Sequence, residues 1–194
     1  MANKNKEMLK TFFGVMFNNK KSIDLIIPSS YVKDVYSINY KKLYKQGFRG
    51  IIFDIDNTLL PVNDINVPTE LEELIRKIKR VGFNICIVSN NSLQRVLPPA
   101  QKLGVLYIAK ADKPNKVAFD TALEELHEKK ESVIMVGDQM LSDIKGANVY
   151  GIYNILVDPV DNKYDFKTGI SRCLQKIMIK KVSKKGIFAD QKYY

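Results

Sequence analysis

The 194-residue chain has no tryptophan, one histidine and two cysteines, and each shortage narrows the chemistry open to it. Cys86 and Cys173 are far apart and neither sits in a CxxC pair, so a zinc site and a disulfide framework are disfavoured and both read as buried free thiols. His127 falls in a predicted helix away from every polar cluster described below and reads as a surface or packing residue. No run of eighteen apolar residues occurs, so no segment is long enough to cross a bilayer as a helix. The lysine-rich N-terminus carries a short apolar patch from Phe12 to Phe17 but no small-residue cleavage signal after it, and the expectation is a cytoplasmic protein. Paired aromatics of the kind that stack on RNA bases are also missing.

An apolar fraction of 45% is enough for one real core, so a single catalytic domain with terminal extensions is expected. The net charge of +10 is unevenly spread. Residues 1–49 hold ten Lys/Arg against three Asp/Glu, residues 50–159 twelve against fifteen, and residues 160–194 nine against three. A slightly acidic middle between two basic ends places the chemistry in the middle and lets the ends meet something anionic, such as lipid headgroups, nucleic acid or ribosomes. Solvated surface charge is the plainer reading of the same numbers.

The middle alternates short β-rich runs with helical patterns, which predicts βαβ units and a mostly parallel sheet. Strands are expected over Gly50–Phe53, Phe83–Val88, Leu106–Ala109, Ser132–Val136 and Tyr153–Val157. Between the first two, Leu71, Leu74, Ile75 and Ile78 recur at helical spacing, with Pro68 opening the helix and Gly82 closing it. Further helices are expected around Asn91–Leu97, Pro114–Glu128 and Leu141–Tyr150. The first forty-nine residues look like one or two amphipathic helices, including Asn39–Gln46, attached to the core as an arm. The predicted divisions are a basic helical N-terminal extension (1–49), a catalytic core (50–160) and a basic C-terminal extension (161–194).

Four polar segments fall at the carboxyl ends of predicted strands, where open α/β sheets gather ligands. The first is Ile51 to Leu60, an apolar strand that abruptly emits Asp54 and Asp56. Two unpaired buried carboxylates are costly, and a cation among oxygen ligands relieves that cost, with hard oxygens favouring magnesium. A capped turn without metal is the alternative. The second, Ser89-Asn90-Asn91, offers a small hydroxyl and fresh N–H groups suited to an anion, although it also resembles an ordinary helix cap. In the third, Lys113-Pro114, a cation stands just before a helix, with Lys110 and Lys116 as competitors. The fourth, Gly137 to Asp143, delivers Asp138 and Asp143 after a glycine that permits a tight turn.

In this order, DxDNT, a strand-terminal Ser, Lys-Pro and GDxxxxD resemble the four motifs of the haloacid-dehalogenase-like (HAD) phosphatases. The resemblance implies a Rossmann-like, three-layer α/β/α core and a Mg2+-dependent phosphatase working through an aspartyl-phosphate. It implies Asp54 as nucleophile and metal ligand, and Asp56 as general acid, then base, lending its backbone carbonyl to the metal. Lys113 would stabilise charge, and Ser89 and Asn90, with Asn57 and Thr58, would hold substrate. Asp138 would be the direct acidic ligand, and Asp143 would support the metal through water or orient Lys113. About eleven residues separate Asp56 from Pro68 and about twenty-three separate Ser89 from Lys113, and neither gap can house a cap domain. The implied enzyme is capless, of type III, and a bulky substrate or a surface would supply the shielding of a lid.

From Ile27-Pro28 to residue 175 the chain resembles the YqeG-type branch, which is similar to mitochondrial phosphatidylglycerophosphate phosphatases. That resemblance implies an anionic phospholipid monoester as substrate and peripheral contact with an anionic membrane. Thr168 and Arg172 resemble remnants of a Thr/Arg motif of that branch, although Gly169, Ile170 and Ser171 depart from it. Apolar stripes at both ends (Met8, Leu9, Phe12, Phe13, Val15 and Met16; Ile170, Leu174, Ile177 and Met178) are flanked by lysines, as in interfacial helices. Packing on the core would produce the same stripes. Enzymes of nucleic-acid ends or nucleotides, and a ribosome-associated assembly protein, are the competing readings.

Overall fold

The computed structural model describes residues 2–62, 64–161, 166–186 and 193, with side chains described from residue 6 and, in the last helix, from residue 172. Among these residues six strands form one sheet: β1 (Ser30–Val32), β2 (Gly50–Phe53), β3 (Asn84–Val88), β4 (Leu106–Ile108), β5 (Val133–Gly137) and β6 (Tyr153–Val157). Their order is β1-β6-β5-β2-β3-β4 and every pairing is parallel. The chain steps outward from β2 through β3 to β4 and then returns to the other side of β2 as β5. The carboxyl ends of β2 and β5 therefore flank the point where the winding reverses, the place where such sheets leave a ligand crevice.

Among the described residues, eight α-helices cover the sheet: α1 (Ala2–Met16), α2 (Lys20–Asp24), α3 (Tyr40–Lys45), α4 (Thr69–Val81), α5 (Leu93–Leu103), α6 (Lys116–Leu126), α7 (Lys145–Tyr150) and α8 (Phe166–Ser183). Alternation along β2 explains the two faces. Ile51 and Phe53 point into a cluster with Leu71, Ile75 and Ile78 of α4 and Val96, Ala100 and Leu103 of α5. Ile52 points the other way, toward Phe119, Ala122 and Leu126 of α6 and Ala147 of α7. Each such side chain contributes roughly 1.5–3 kcal/mol by leaving water, so a four-residue strand buried on both faces is a strong organiser.

Three features differ from the sequence expectation. Residues 1–49 include, besides helices, the edge strand β1, whose Ser30, Tyr31 and Val32 pair with Ile155, Leu156 and Val157. The α5 helix runs through Pro98 and Pro99 to Leu103 rather than ending at Leu97. A mid-helix proline costs about 3 kcal/mol, and here the buried row Val96, Pro99, Ala100 and Leu103 offsets it. Cys173 is exposed, whereas Cys86 is buried as expected; Cys173 follows Arg172 on α8 and is turned off the helix's packed face.

The apolar stripes of the two ends largely meet each other. Val15 of α1 and Met178 and Val182 of α8 are buried with Met140, Leu141, Ile144 and Leu156, and Met8, Phe12 and Leu174 pack against them. Leu9 and Phe13 of α1, and Phe17 just after its end, are four residues apart and stay exposed. No helix among the described residues is long and apolar enough to cross a membrane.

Candidate active site

The β2 strand ends in an abrupt turn. Leu60 N–H returns to Ile55 O at 3.0 Å, Asn57 N–H donates to Leu60 O at 2.7 Å, and Asn57 takes a positive φ of 63°. That turn keeps Asp54 in the sheet, its N–H donating to Val136 O of β5 at 2.9 Å, and points its buried carboxylate across the crevice. Lys113 Nζ lies 2.7 Å from Asp54 Oδ1 and 2.9 Å from Asp143 Oδ1, and its side chain is 1% exposed. Lys113 is the cation that meets the carboxylates; its sequence competitors Lys110 and Lys116 do not share this site.

Asp143 reaches Lys113 because residues Met140–Ile144 form a π-helical turn, in which Ile144 N–H bonds back to Gln139 O. Such wide turns re-aim one side chain and recur at functional sites. Asp143 Oδ2 accepts the Gln139 N–H at 3.1 Å. Gly137 makes room for it: a Cβ there would stand 2.4 Å from Asp143 Oδ2.

Carboxylate oxygens of Asp54, Asp138 and Asp143 all lie within 4.8 Å of one another, and all three residues are buried. Three like charges so close are mutually destabilising unless cations accompany them. An all-oxygen donor set of this kind fits a hard divalent cation, so these residues are chemically suited to a metal such as Mg2+. Thr58, buried, donates to Asp138 Oδ1 at 3.3 Å, so it meets the acidic cluster itself.

Asp56 stands outside that cluster. Arg95 of α5 binds its Oδ1 through Nε at 3.0 Å and Nη2 at 2.9 Å, while Asn91 Nδ2 donates to Oδ2 at 3.1 Å. The sequence singled out neither Arg95 nor the Asn91 side chain. Ser89 is buried at the end of β3, where its Oγ accepts the Asn91 N–H at 3.1 Å. Asn90 brackets the Lys113 peptide, accepting its N–H at 2.6 Å and donating to its carbonyl at 3.1 Å. Asn57 Oδ1 accepts the Asp161 N–H at 3.2 Å, tying the β2 turn to the segment after β6. The geometry therefore gives Asn57 and Asn90 loop-fixing contacts.

The last helix also arrives here. Arg172 Nη1 donates to Asp138 O at 2.8 Å, and its Nη2 forms an ion pair with the Asp138 carboxylate. Gln175 Nε2 donates to the same carbonyl at 3.2 Å, and its Oε1 accepts the Met140 N–H at 3.0 Å. Thr168 lies outside the residues whose side chains are described.

Burial is the chief cause that raises the Asp54 pKa from 3.8 to about 7; Lys113 opposes it, and Asp143 and Asp56 add to it. Burial alone would depress Lys113, but the Asp143 and Asp54 carboxylates outweigh it and hold that pKa above its ordinary value. Arg172 is lowered by burial to about 10, with Asp54 opposing, and stays charged at neutral pH.

A pH dependence follows for the metal-free protein. The folded state binds the Asp54 proton more tightly than the unfolded chain, so this group favours folding fully below about pH 4 and loses that contribution as pH rises through about 7. Melting temperatures taken in chelator from pH 5 to 8 are expected to fall more steeply for the wild type than for Asp54→Asn. Parallel curves would show that Asp54 does not titrate in this window.

Comparison with known proteins finds relatives that span most of the chain. A family model described as mitochondrial PGP phosphatase matches residues 10–96, and one described as HAD-hydrolase-like matches residues 111–159. The chain is 35% identical over 179 residues to the probable phosphatase YqeG of Bacillus subtilis (strain 168), covering 92% of this chain and 96% of that one. It is 24% identical over 177 residues to phosphatidylglycerophosphate phosphatase 1, chloroplastic/mitochondrial, of Arabidopsis thaliana, covering 86% of this chain and 51% of that one. Among solved structures it is similar to an uncharacterized protein from Listeria monocytogenes serotype 4b, at TM-score 0.49 and 24% identity, over 61% of this chain and 85% of that one. Because the match to YqeG runs nearly end to end, the chain belongs to the haloacid-dehalogenase-like phosphatases, in the YqeG-type branch related to the phosphatidylglycerophosphate phosphatases.

Proposed function

We propose that this phosphatase is a Mg2+-dependent phosphomonoesterase that uses Asp54 as nucleophile and acts on phosphatidylglycerophosphate to give phosphatidylglycerol. The observation that carries the chemistry is Lys113 Nζ held between Asp54 and Asp143, beside Asp138. Asp54, Asp138 and Asp143 would hold the metal, with the backbone carbonyl of Asp56; when bound, the metal offsets the negative charge of the phosphoryl oxygens and of the attacking carboxylate.

An Asp54 oxygen attacks phosphorus in line, forming the acyl phosphate as the bond from phosphorus to the glycerol oxygen breaks. Asp56 gives its proton to that leaving oxygen. A water then attacks phosphorus, Asp56 takes a proton from it, and the bond from phosphorus to Asp54 breaks, freeing orthophosphate and the carboxylate. Lys113 neutralises the charge that gathers on the Asp54 side, and the Ser89 hydroxyl faces the phosphoryl oxygens. Arg95 and Asn91 fix the Asp56 carboxylate and act as positioning residues. Replacing Arg95 by Met is expected to lower kcat about tenfold to a hundredfold, part of what general acid–base catalysis supplies, with KM little changed. An unchanged kcat would remove Arg95 from the mechanism.

The lipid substrate is supported by the match to the PGP phosphatase family model and by the relative named for that activity. The short span from Asp56 to α4 leaves no room for a lid domain, which suits a substrate presented by a surface. Exposed Leu9, Phe13 and Phe17 beside Lys6, Lys10 and Lys20 support peripheral contact with an anionic leaflet. The test is phosphate release from phosphatidylglycerophosphate in mixed vesicles beside oligonucleotide 3′-phosphates and small phosphomonoesters. Higher kcat/KM on the lipid is expected; preference for the oligonucleotide would replace lipid by nucleic-acid ends as the substrate class.

A further inference from the structure

A helix from the far end of the chain supplies the second cation of the acidic cluster. Arg172 and Gln175 stand three residues apart on the face of α8 that also carries Met178 and Val182, so the apolar packing of α8 on Met140 and Ile144 fixes where they point. Both donate to the Asp138 carbonyl, and Arg172 alone also meets the Asp138 carboxylate.

We propose that Arg172 sets the charge of the catalytic centre, weakening its hold on the divalent cation in exchange for a stronger hold on the phosphoryl group. This rests on the metal-and-phosphoryl reading of the site given above. With Asp54, Asp138 and Asp143 ionised and Lys113 as sole cation, the cluster would carry two net negative charges; Arg172 reduces that to one. A divalent ion then turns the cluster net positive, which attracts a phosphoryl dianion. Without Arg172 the loaded cluster is neutral and that attraction is lost.

A purely bracing role would have the opposite sign. A residue that only braced a metal ligand would, when removed, weaken metal binding by about 10–100-fold. Removing a buried positive charge beside the ion position strengthens metal binding instead, by at least about tenfold, because even at an effective dielectric near 20 the repulsion between a unit charge and a divalent ion a few ångströms away exceeds that factor. The sign of the change in metal affinity separates the two.

The experiment uses the full chain and two calorimetric titrations: Mg2+ into metal-free protein, and orthophosphate into protein saturated with Mg2+. Arg172→Gln is expected to bind Mg2+ at least about tenfold more tightly and orthophosphate at least about tenfold more weakly than wild type. Arg172→Lys, which keeps the charge without the two-pronged contact, is expected to stay within about threefold on both. Gln175→Leu removes a brace and no charge, so its two affinities are not expected to move in opposite directions. Arg172→Gln weakening both ligands, or changing neither, overturns the inference. If Arg172→Gln does not fold, Arg172→Lys decides: near wild-type affinities support the proposal, and a tenfold loss of Mg2+ binding overturns it. Should the wild type bind neither Mg2+ nor orthophosphate, the failure lies with the metal-and-phosphoryl reading itself.

Discussion

Asp54→Asn is expected to remove phosphatase activity by on the order of 10^4-fold or more, because in the proposed mechanism Asp54 is the nucleophile and has no substitute within the cluster. The change is nearly isosteric and takes away a carboxylate that burial already holds at a pKa of about 7. Lys113 keeps Asp143 as a partner at 2.9 Å, so the buried ammonium is not stranded. The variant should therefore fold, with a wild-type circular dichroism spectrum and a metal-free melting temperature at neutral pH no lower than that of the wild type. Turnover within tenfold of wild type would remove Asp54 from the chemistry.

Lys113→Met is expected to damage both stability and rate, and in a way that depends on metal. In chelator it leaves Asp54 and Asp143 buried without their common cation, and stranding one side of a buried ion pair typically costs about 3–5 kcal/mol. Protonation of Asp54 relieves part of this, so the loss is expected to be larger at pH 8 than at pH 6. With Lys113 gone, three carboxylates compete for a divalent ion with less opposition, and Mg2+ should raise the melting temperature of the variant by more than it raises that of the wild type. Activity in saturating Mg2+ is expected to fall by about 10^2–10^3, the scale of losing one preorganised charge-stabilising group. Denaturation in chelator and in Mg2+ at the two pH values checks the set of signs. A variant as stable as the wild type in chelator at pH 8 would contradict the assignment of Lys113 as the cation that makes the cluster tolerable.

What could be read from the sequence and what could not divide along the range of the interactions. The strands were legible because a buried parallel strand is a local apolar run, and the polar break after Phe53, Val88 or Val136 marks its carboxyl end without outside information. That Asp54, Lys113, Asp138 and Asp143 would meet follows from one further rule, that parallel strands present those ends on one side. Arg95 escaped because its partner is 39 residues away, and an arginine on a helix looks the same in sequence whether it faces solvent or a carboxylate. Arg172 stands out in the sequence only through the family resemblance, and its pairing with Asp138, 34 residues away, does not show there. Gln175 escaped for the same reason as Arg95. That the Asn90 side chain clasps the Lys113 peptide shows only in the folded loop. Strand β1 is three residues long and directly follows Pro28 and Ser29, too short for a period to register. The end stripes had two readings, and only tertiary contact sorted them: Val15, Met178 and Val182 are buried, while Leu9, Phe13 and Phe17 remain in solvent.

The buried positions of Arg95 and Arg172 also bear on how an uncapped site keeps its groups in place. With no lid domain among the described residues, order has to come from beneath. The α5 and α8 helices supply it, one guanidinium holding Asp56 and the other Asp138, each at 6% side-chain exposure or less. Rigid elements hold a constellation more precisely than loops do, which is consistent with three-layer packing that leaves the crevice open while its walls stay fixed.

The measurement closest to the central claim is chemical trapping of the covalent intermediate. An acyl phosphate is reduced by borohydride to an alcohol, so quenching a turnover mixture with borohydride should convert Asp54 to homoserine, detectable by peptide mass spectrometry, and only when both substrate and Mg2+ are present. Homoserine at residue 54 with Asp138 and Asp143 untouched is the predicted result. Reduction at another carboxylate, or an intact Asp54 in a mixture quenched during rapid turnover with the intermediate shown to accumulate, would contradict it.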